Sequence, residues 1–216
     1  MLKGGWLMKS IILFDVDGTI TDFEKIDNKA ISKCFSASKF VMTVDKLLWK
    51  INKLDIIANN FPLFKFRIFA YSLASFSNYK KNMKRYEKVY VEETSKEMAN
   101  YLKKHHDNLN ALGTEVCFLS NNQLDNSASL YIVSVKDKRK YVRDNIYGKY
   151  DIVYVVGNNW SDDVKLGLEL RKKTKLTMPV YIGKSKLLIN FLLKKKPVEV
   201  YSSLDEFISV LTSKKE

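Results

Sequence analysis

The sequence predicts an α/β protein: a doubly wound, Rossmann-like parallel sheet with a mostly helical domain inserted after the first strand. Short apolar runs that end in small polar residues alternate with helical patterns in the second half of the chain. This alternation is typical of a parallel sheet covered by helices on both faces. The apolar runs are residues 10–18, 115–122, 151–159, 178–183 and 197–201, and the helical patterns are residues 138–146, 162–172 and 203–211. Ser203 and Glu206 form a capping box at the start of the last helix.

A long segment from about residue 24 to residue 110 interrupts the alternation. It is rich in lysine and aromatic residues, and it has helical spacing at 45–57 and 90–106. We therefore expect a core domain made of residues 1–23 and 111–216, and a helical domain made of residues 24–110. The 216 residues, 46% of them hydrophobic, suffice for this arrangement.

The formal net charge of +13 favours anionic partners: phosphorylated metabolites, nucleic acid or an acidic membrane surface. A generally lysine-rich composition explains the charge equally well, because the lysines are spread along the chain. Two cysteines make no disulfide framework, so we expect a reducing, cytoplasmic location. We expect no transmembrane segment, because no stretch of about 18 uncharged apolar residues occurs.

The string Asp15-Val16-Asp17-Gly18-Thr19 directly follows the first apolar run. Its two carboxylates can face one site if the chain turns after the strand, and Gly18 permits such a turn. One carboxylate can attack phosphorus, while the other protonates the leaving oxygen and then activates water. Two anions facing a phosphate would repel it, so this chemistry needs a metal ion and a cation. For an isolated pair of such acids, a solvated turn would be the better interpretation.

The residues ILFDVDGT at 12–19 resemble the first motif of the haloacid dehalogenase-like (HAD) hydrolases, a superfamily dominated by phosphatases. The resemblance implies that Asp15 is the nucleophile and Asp17 the general acid/base. It also implies that the Asp15 carboxylate and the Asp17 main-chain carbonyl bind a magnesium ion (Mg2+), and we assign Thr19 to substrate binding. The inserted domain then resembles a helical cap of the first type, which closes over the site and supplies specificity.

Two further motifs of the superfamily have candidates downstream. Ser120, at the end of the second apolar run, matches the second motif, and its hydroxyl and the Asn121 amide are expected to donate to phosphoryl oxygens. The third motif is a lysine near a helix start, for which we choose Lys138 as the catalytic residue. Lys136 is a close second, and we assign it to substrate binding.

The fourth motif, usually Gly-Asp-x-x-x-Asp, matches residues 157–163 with one departure: Asn158 replaces the first acid. Asp162 keeps the spacing of the second acid, and Asp163 lies one residue further. We expect Asn158 and Asp162 to complete the metal site, because Mg2+ typically takes one or two carboxylates with water and substrate oxygens. Helix capping is the alternative role for Asp162.

The apolar stretch at 61–76 contains six aromatic residues, too many for one face of a helix. We interpret it as the core of the cap, because aromatic side chains normally pack inward. The alternative is a hydrophobic pocket, or a membrane-surface patch for an amphiphilic phosphate. Lys65 and Arg67 interrupt the stretch, so it does not fit a bilayer span.

The motifs together predict a magnesium-dependent phosphomonoester hydrolase that acts on a small organic phosphate through an aspartyl-phosphate. Two alternatives stay open: a basic nucleic-acid-binding module on a hydrolase fold, and a phosphomutase-type phosphotransferase. No zinc finger or basic-aromatic RNA-binding motif occurs, so we expect no stable nucleic-acid partner. Asp17 disfavours dehalogenation, because dehalogenases of this superfamily generally lack the second acid.

Overall fold

The structure is a computed structural model that describes residues 8–35, 63–122, 124, 132–174, 176–183, 191, 193–194 and 196–213, with the backbone alone for residues 63–66 and 161. In chain order its elements are β1 (Ser10–Asp15), α1 (Phe23–Cys34), α2 (Leu63–Ala74), α3 (Tyr79–Ala111), β2 (Glu115–Ser120), β3 (Ile132–Ser134), α4 (Lys138–Asn145), β4 (Ile152–Gly157), a π-helical turn (Trp160–Val164), α5 (Lys165–Arg171), β5 (Thr177–Ile182), β6 (Glu199–Tyr201) and α6 (Leu204–Ser213).

The six strands form one parallel sheet in the order β3-β2-β1-β4-β5-β6, which confirms the predicted doubly wound α/β class. The order reverses at β1, whose neighbours are β2 and β4. Ligands of such sheets bind outside the carboxyl ends of the strands at this switch point. In register, Asp15 pairs with Leu119 and Phe14 pairs with Val156, so β1, β2 and β4 end at one common edge.

Side chains alternate between two cores, one on each face of the sheet. On one face, Phe14 stacks on Phe118 with ring centroids 5.4 Å apart, and Phe207 of α6 meets Phe14 edge-on. On the other face, Leu13 packs with Val142 of α4 and Leu166 of α5. This burial on both faces explains why the strands read as continuous apolar runs.

The chain divides into two compact units, Met1–Thr21 with Glu97–Glu216, and Asp22–Lys96. We call them the sheet unit and the helical unit. The division assigns residues 97–110 to the sheet unit, whereas the sequence analysis placed them in the cap. The role of the helical unit as a cap stays a prediction.

Three details of the sequence-based expectations have different outcomes. Strand β3 was not predicted, because three residues give too short a pattern to recognise. The expected helix at 45–57 lies outside the described residues. The capping box is present, with the Glu206 amide donating to Ser203 Oγ, but the Glu206 carboxylate accepts from the Ser202 amide.

The apolar stretch at 61–76 is only partly core. Ile68 and Tyr71 of α2 are buried with residues of α1 and α3, whereas Phe69, Leu73 and Phe76 are exposed. The prediction of a cap core was therefore wrong for these three side chains. Within the described chain, no helix combines the length and apolar character that a membrane crossing needs.

Buried charges join the helices of the helical unit. Asp27 of α1 accepts hydrogen bonds from Arg67 of α2 and from Tyr86 of α3, and all three side chains are buried. Glu93 of α3 is also buried, and it accepts from Lys29 at 2.6 Å and from Lys33 at 2.7 Å. These contacts tie α1 to α3 beside the apolar core of the unit.

The Glu93 contacts predict an acid-sensitive contribution to stability. Hydrogen bonds from Lys29 and Lys33 lower the pKa of Glu93 to about 2, from an ordinary value of 4.5. Because the folded pKa is the lower one, the stabilisation is complete above pH 4.5 and is lost as the pH falls towards 2. We expect the difference in free energy of unfolding between wild type and Glu93→Gln to shrink over this range. Urea unfolding followed by circular dichroism measures it.

Glu92→Gln is the matched control, because the neighbouring Glu92 side chain is exposed. Its difference from wild type should stay small at every pH. A difference for Glu93→Gln that stays constant down to pH 2 would contradict the assignment.

Candidate active site

The turn after β1 holds two acids at the carboxyl edge of the sheet. Asp15 is the last residue of β1, and Gly18 follows with a φ of +84°, a conformation that favours glycine. The Gly18 amide donates to the Thr21 carbonyl at 2.9 Å, and the Thr21 amide donates to the Val16 carbonyl at 3.0 Å. The chain therefore turns within seven residues, as predicted from Gly18.

Lys138 joins two buried carboxylates at this edge. Its ammonium donates to Asp15 Oδ1, and to Asp163 Oδ1 at 3.1 Å. The exposed fractions of the three residues are 8% for Lys138, 7% for Asp15 and 2% for Asp163. Asp15 ends β1, and Asp163 lies in the π-helical turn that follows β4; because β1 and β4 are neighbours in the sheet, both acids come close to one lysine.

The structure separates the two candidate lysines. Lys138 is the first residue of α4, where Asp137 caps the helix by accepting from the Lys140 amide at 3.0 Å. This cap fixes the residue at which α4 begins. Lys136 lies before the cap and is exposed. Lys138 therefore reaches Asp15, and the assignment of Lys136 to substrate binding stays a prediction.

The electrostatics of this group follow from its burial. Burial and the neighbouring Asp163 carboxylate raise the pKa of Asp15 well above its ordinary value, against the opposing effect of Lys138. Burial likewise raises the pKa of Asp163. Burial also works to lower the pKa of Lys138, but the two carboxylates outweigh it and raise that pKa, so the ammonium stays charged.

Asp17 points towards the end of β2. Its Oδ2 accepts hydrogen bonds from Ser120 Oγ at 3.2 Å and from Asn122 Nδ2 at 3.0 Å. The Asn122 amide donates to Ser120 Oγ at 3.0 Å, so the three residues form a closed network. Two side-chain donors on one oxygen fix the orientation of the Asp17 carboxylate. Ser120 is fully buried, and the adjacent Asn121 is exposed.

Thr19 links the β1 turn to the end of β4. Its hydroxyl donates to Asp15 Oδ2 at 3.1 Å and accepts from the Asn158 amide at 3.0 Å. A Cβ on Gly18 would overlap the side-chain amide of Asn158, so glycine is also required for this close approach. The structure thus gives Thr19 a contact that positions Asp15, and its contact with substrate stays a prediction.

The fourth motif brings Asp163 into the site, not Asp162. The Val164 amide donates to the Asn159 carbonyl five residues earlier, which makes a π-helical turn. Within this turn the Asp162 amide donates to Asn159 Oδ1, while the Asp163 carboxylate accepts from the Asn159 amide at 3.2 Å and from Lys138. Asp162 is only half-buried. Its predicted role as a metal ligand is left without support from this geometry.

A glycine makes room for the inward acid. A Cβ on Gly157 would overlap the Asp163 carboxylate, so this side chain lies directly against the backbone at the end of β4. Sequence reasoning noted Asp163 but followed the usual spacing of the motif. The extra residue in the π-helical turn moves the inward position by one. The two adjacent acids after Gly157, Asp162 and Asp163, are the sequence signal, because either of them could be the acid that faces the site.

The oxygen atoms available for a metal come from the end of β1 with the turn after it, and from the start of the turn after β4. They are the Asp15 carboxylate, the Asp17 carbonyl and the Asn158 side-chain amide, which lies against Gly18. Among the described residues, no group of three or more His, Cys, Asp or Glu side chains is placed to hold a metal ion. A magnesium ion still suits this donor set, because Mg2+ usually keeps several waters and uses few protein carboxylates. The excess of carboxylates around Lys138 also favours a cation.

Asn122 is the second residue that sequence reasoning missed. It lies two residues after Ser120, beyond the motif positions, and its side-chain amide donates to Asp17. The two asparagines, Asn121 and Asn122, can be recognised as possible partners of Asp17 only once the structure shows that β2 ends at Ser120.

The geometry predicts very different stabilities for two lysine variants. Lys138→Met leaves Asp15 and Asp163 buried without a cation, so we expect it to lower the free energy of unfolding by about 3–5 kcal/mol at pH 7. The loss should shrink at lower pH, because the folded pKa values of the two carboxyls would lie above their unfolded values and protonation removes the repulsion. Urea unfolding at pH 7 and pH 5 measures both effects.

Lys136→Met is the matched control, and its effect should stay within about 0.5 kcal/mol because Lys136 is exposed. Equal losses for the two variants would contradict the arrangement described here.

Comparisons with known proteins agree with this architecture. No family model matches the sequence, and neither does any curated protein. Among solved structures, the HAD hydrolase YfnB from Bacillus subtilis, described as bound to magnesium, is 15% identical with a TM-score of 0.57. The match covers 94% of this chain and 99% of that one. A haloacid dehalogenase-like family hydrolase from Xanthomonas campestris is 12% identical with a TM-score of 0.45, over 99% of this chain and 97% of that one. The YfnB match, with its TM-score of 0.57, shows that the chain has the fold of the haloacid dehalogenase-like hydrolases.

Proposed function

We propose that this protein is a haloacid dehalogenase-like hydrolase that removes the phosphoryl group from a small organic phosphate, with Asp15 as nucleophile. The observation that carries the proposal is the buried Asp15 carboxylate at the end of β1, held by Lys138 and Thr19 with Asp17 two residues away. A nucleophile needs a fixed position near the reacting phosphorus. Both oxygens of Asp15 are held by hydrogen bonds, which supplies that fixed position.

The reaction proceeds in two steps at this edge. An Asp15 oxygen attacks phosphorus to form an aspartyl-phosphate, and the bond to the leaving oxygen breaks as protonated Asp17 donates its proton to that oxygen. Asp17, now ionised, then takes a proton from water, and the water oxygen attacks phosphorus to release inorganic phosphate and restore Asp15. The donors Ser120 and Asn122 orient Asp17 for both transfers.

Lys138 and Asp163 set the charge around the nucleophile. Lys138 holds its positive charge next to Asp15, so it favours the ionised carboxylate and reduces repulsion of an incoming phosphate. Asp163 shares the ammonium and positions it between the two strand ends. Asp163 acts through Lys138 and is therefore a positioning residue.

Magnesium is the proposed cofactor, as described for YfnB. The Asp15 carboxylate, the Asp17 carbonyl and Asn158 would hold it, and Asp162 remains the sequence-based candidate for a further oxygen. A bound Mg2+ supplies positive charge that favours ionised Asp15 and binds phosphoryl oxygens. Asn158 adds no charge, so we expect metal affinity to be lower than at a site with an acid in that position.

The substrate class rests on charge and on the helical unit. A net charge of +13 favours anionic ligands, and a second unit inserted between β1 and β2 suits a role in excluding water and selecting the organic group. Beyond the reacting acids, the proposed phosphate contacts are Asn121, Lys136 and Thr19. Ser120 was predicted for the same role, but it is buried and its hydroxyl donates to Asp17, so it would have to give up that hydrogen bond to contact the phosphate.

The first test is turnover of p-nitrophenyl phosphate and a panel of sugar, nucleotide, amino-acid and lipid-like phosphates. We expect magnesium-dependent release of phosphate that EDTA abolishes and added Mg2+ restores. Asp15→Asn should lower kcat by about 10⁴-fold or more, because it removes the nucleophile. Asp107→Asn is the matched control, since the Asp107 side chain is fully exposed, and it should leave kcat unchanged. Phosphate release that persists in Asp15→Asn would contradict the proposal, as would inactivity across the panel.

A second test concerns Asn122 as a positioning residue for Asp17. Asn122→Ala removes one of the two side-chain donors to Asp17 Oδ2, so we expect kcat to fall about tenfold with little change in KM. In an Asp17→Asn background the same substitution should have no further effect on kcat, because the group it orients is already absent.

Additive losses in the double variant would contradict this role, since they would mean that Asn122 acts independently of Asp17. Asn121→Ala is the neighbouring control, and its effect should fall on KM if Asn121 contacts substrate.

A further inference from the structure

Helix α2 and the turn after it expose an apolar stripe within the helical unit. The exposed fractions are 50% for Phe69, 67% for Leu73 and 99% for Phe76. Phe69 and Leu73 are four residues apart and therefore share one side of the helix, and Phe76 follows in the turn after Ala74. The opposite side carries Ile68 and Tyr71, which are buried in the core of the unit. The side chains of the stripe are therefore apolar surface that lies outside the core of the unit.

The turn that carries Phe76 is built to hold it outward. Phe76 has a φ of +49°, which is rare for a large side chain, and its full exposure means that packing does not offset this strain. A polar network fixes the turn: Asn82 Nδ2 donates to Ser72 Oγ at 2.9 Å and to Ser77 Oγ at 2.7 Å, and the Ser77 amide donates to the Ser72 carbonyl at 2.9 Å. The exposed phenylalanine thus stands on an ordered support.

Basic residues follow the stripe at the start of α3. Lys80, Lys81, Lys84 and Arg85 are all exposed. The first turn of α3 carries no acid, so its lysines face the positive end of the helix dipole, where cations are disfavoured. Tyr79 of the same turn contacts the Phe69 ring edge-on, with centroids 5.9 Å apart, so the basic turn and the stripe lie side by side.

Apolar side chains next to clustered basic residues have a common physical use. The apolar groups enter the boundary between headgroups and acyl chains, while the cations stay at the level of anionic headgroups. The unfavourable position of the lysines at the helix start would be relieved by phosphate groups in front of them. Nucleic acid would satisfy the lysines, but it offers no apolar medium for Leu73.

We propose that the turn between α2 and α3 docks this protein on an anionic lipid surface, with Leu73 and Phe76 inserted at the interface and Lys80, Lys81 and Lys84 contacting the headgroups. Phe69 lies further from the tip and is half exposed, so it contributes less. This binding is reversible and peripheral, and it is independent of the reaction at Asp15.

The test is co-sedimentation of the full chain with vesicles of phosphatidylcholine alone and of phosphatidylcholine mixed with phosphatidylserine. We expect binding to the anionic vesicles only, weakened by high salt. Leu73→Gln/Phe76→Asn should weaken it at least tenfold; Asn tolerates the left-handed conformation at 76, so the fold is kept. Lys80→Gln/Lys81→Gln/Lys84→Gln should weaken it about a hundredfold, at about fivefold per charge.

The matched controls replace side chains of the same kinds, one aromatic residue and three lysines, in the sheet unit. Phe191→Ser removes another exposed aromatic ring, and Lys103→Gln/Lys104→Gln/Lys172→Gln removes three exposed lysines. Both should bind anionic vesicles like wild type, and circular dichroism should show all variants folded. The Leu73/Phe76 and triple-lysine variants of the helical unit should keep turnover of p-nitrophenyl phosphate.

Three results would overturn the proposal. The first is absence of binding by the wild type to anionic vesicles. The second is equal loss of binding in the control variants, which would indicate general attraction of a basic protein. The third is a different occupant: a dimer in light scattering that Leu73→Gln/Phe76→Asn dissociates, or binding to RNA or DNA that prevents vesicle binding and survives that substitution.

Discussion

The candidate site depends on one constraint: a single buried ammonium holds two buried carboxylates from different strand ends. Lys138 donates to Asp15 at the end of β1 and to Asp163 after β4, and each of these groups alone would be costly to bury. Together they fix the start of α4 against the sheet edge, and thereby fix the position of the Asp15 carboxylate. Two carboxylates share one ammonium, and this excess of negative charge is what the proposed magnesium ion would balance.

The sheet topology is what makes this contact possible. Strand β1 lies between β2 and β4, so the residues after three strands meet at one edge although they are far apart in sequence. Hydrogen bonds then position the individual groups. Ser120 at the end of β2 donates to Asp17, and the Asn158 amide after β4 donates to the Thr19 hydroxyl. The site is thus assembled within the sheet unit, and the proposed membrane contact lies in the helical unit, so the two proposals can fail separately.

Much of this was predictable from sequence, for identifiable reasons. Apolar runs that are buried on both faces predicted the strands, and the acids Asp15 and Asp17 at the end of the first run predicted where a site would lie; their catalytic roles stay a prediction. The choice of Lys138 followed from the helix start, which Asp137 caps. Asp163 was not predicted, because the π-helical turn shifts the inward position by one residue and such a turn has no sequence pattern. For Phe76 the sequence analysis favoured burial in the cap core, with a membrane-surface patch as the alternative, since aromatic residues normally pack inward; the structure shows the side chain exposed.

The most direct test of the central claim is chemical trapping of the phosphorylated enzyme. A reaction with substrate and Mg2+ is quenched in acid, reduced with borohydride and digested, and the peptides are analysed by mass spectrometry. Borohydride converts an aspartyl-phosphate to homoserine, so the account predicts homoserine at position 15 alone, in amounts that depend on substrate and vanish in Asp15→Asn. Substrate turnover with homoserine at another position, or with Asp15 unmodified throughout, would contradict it.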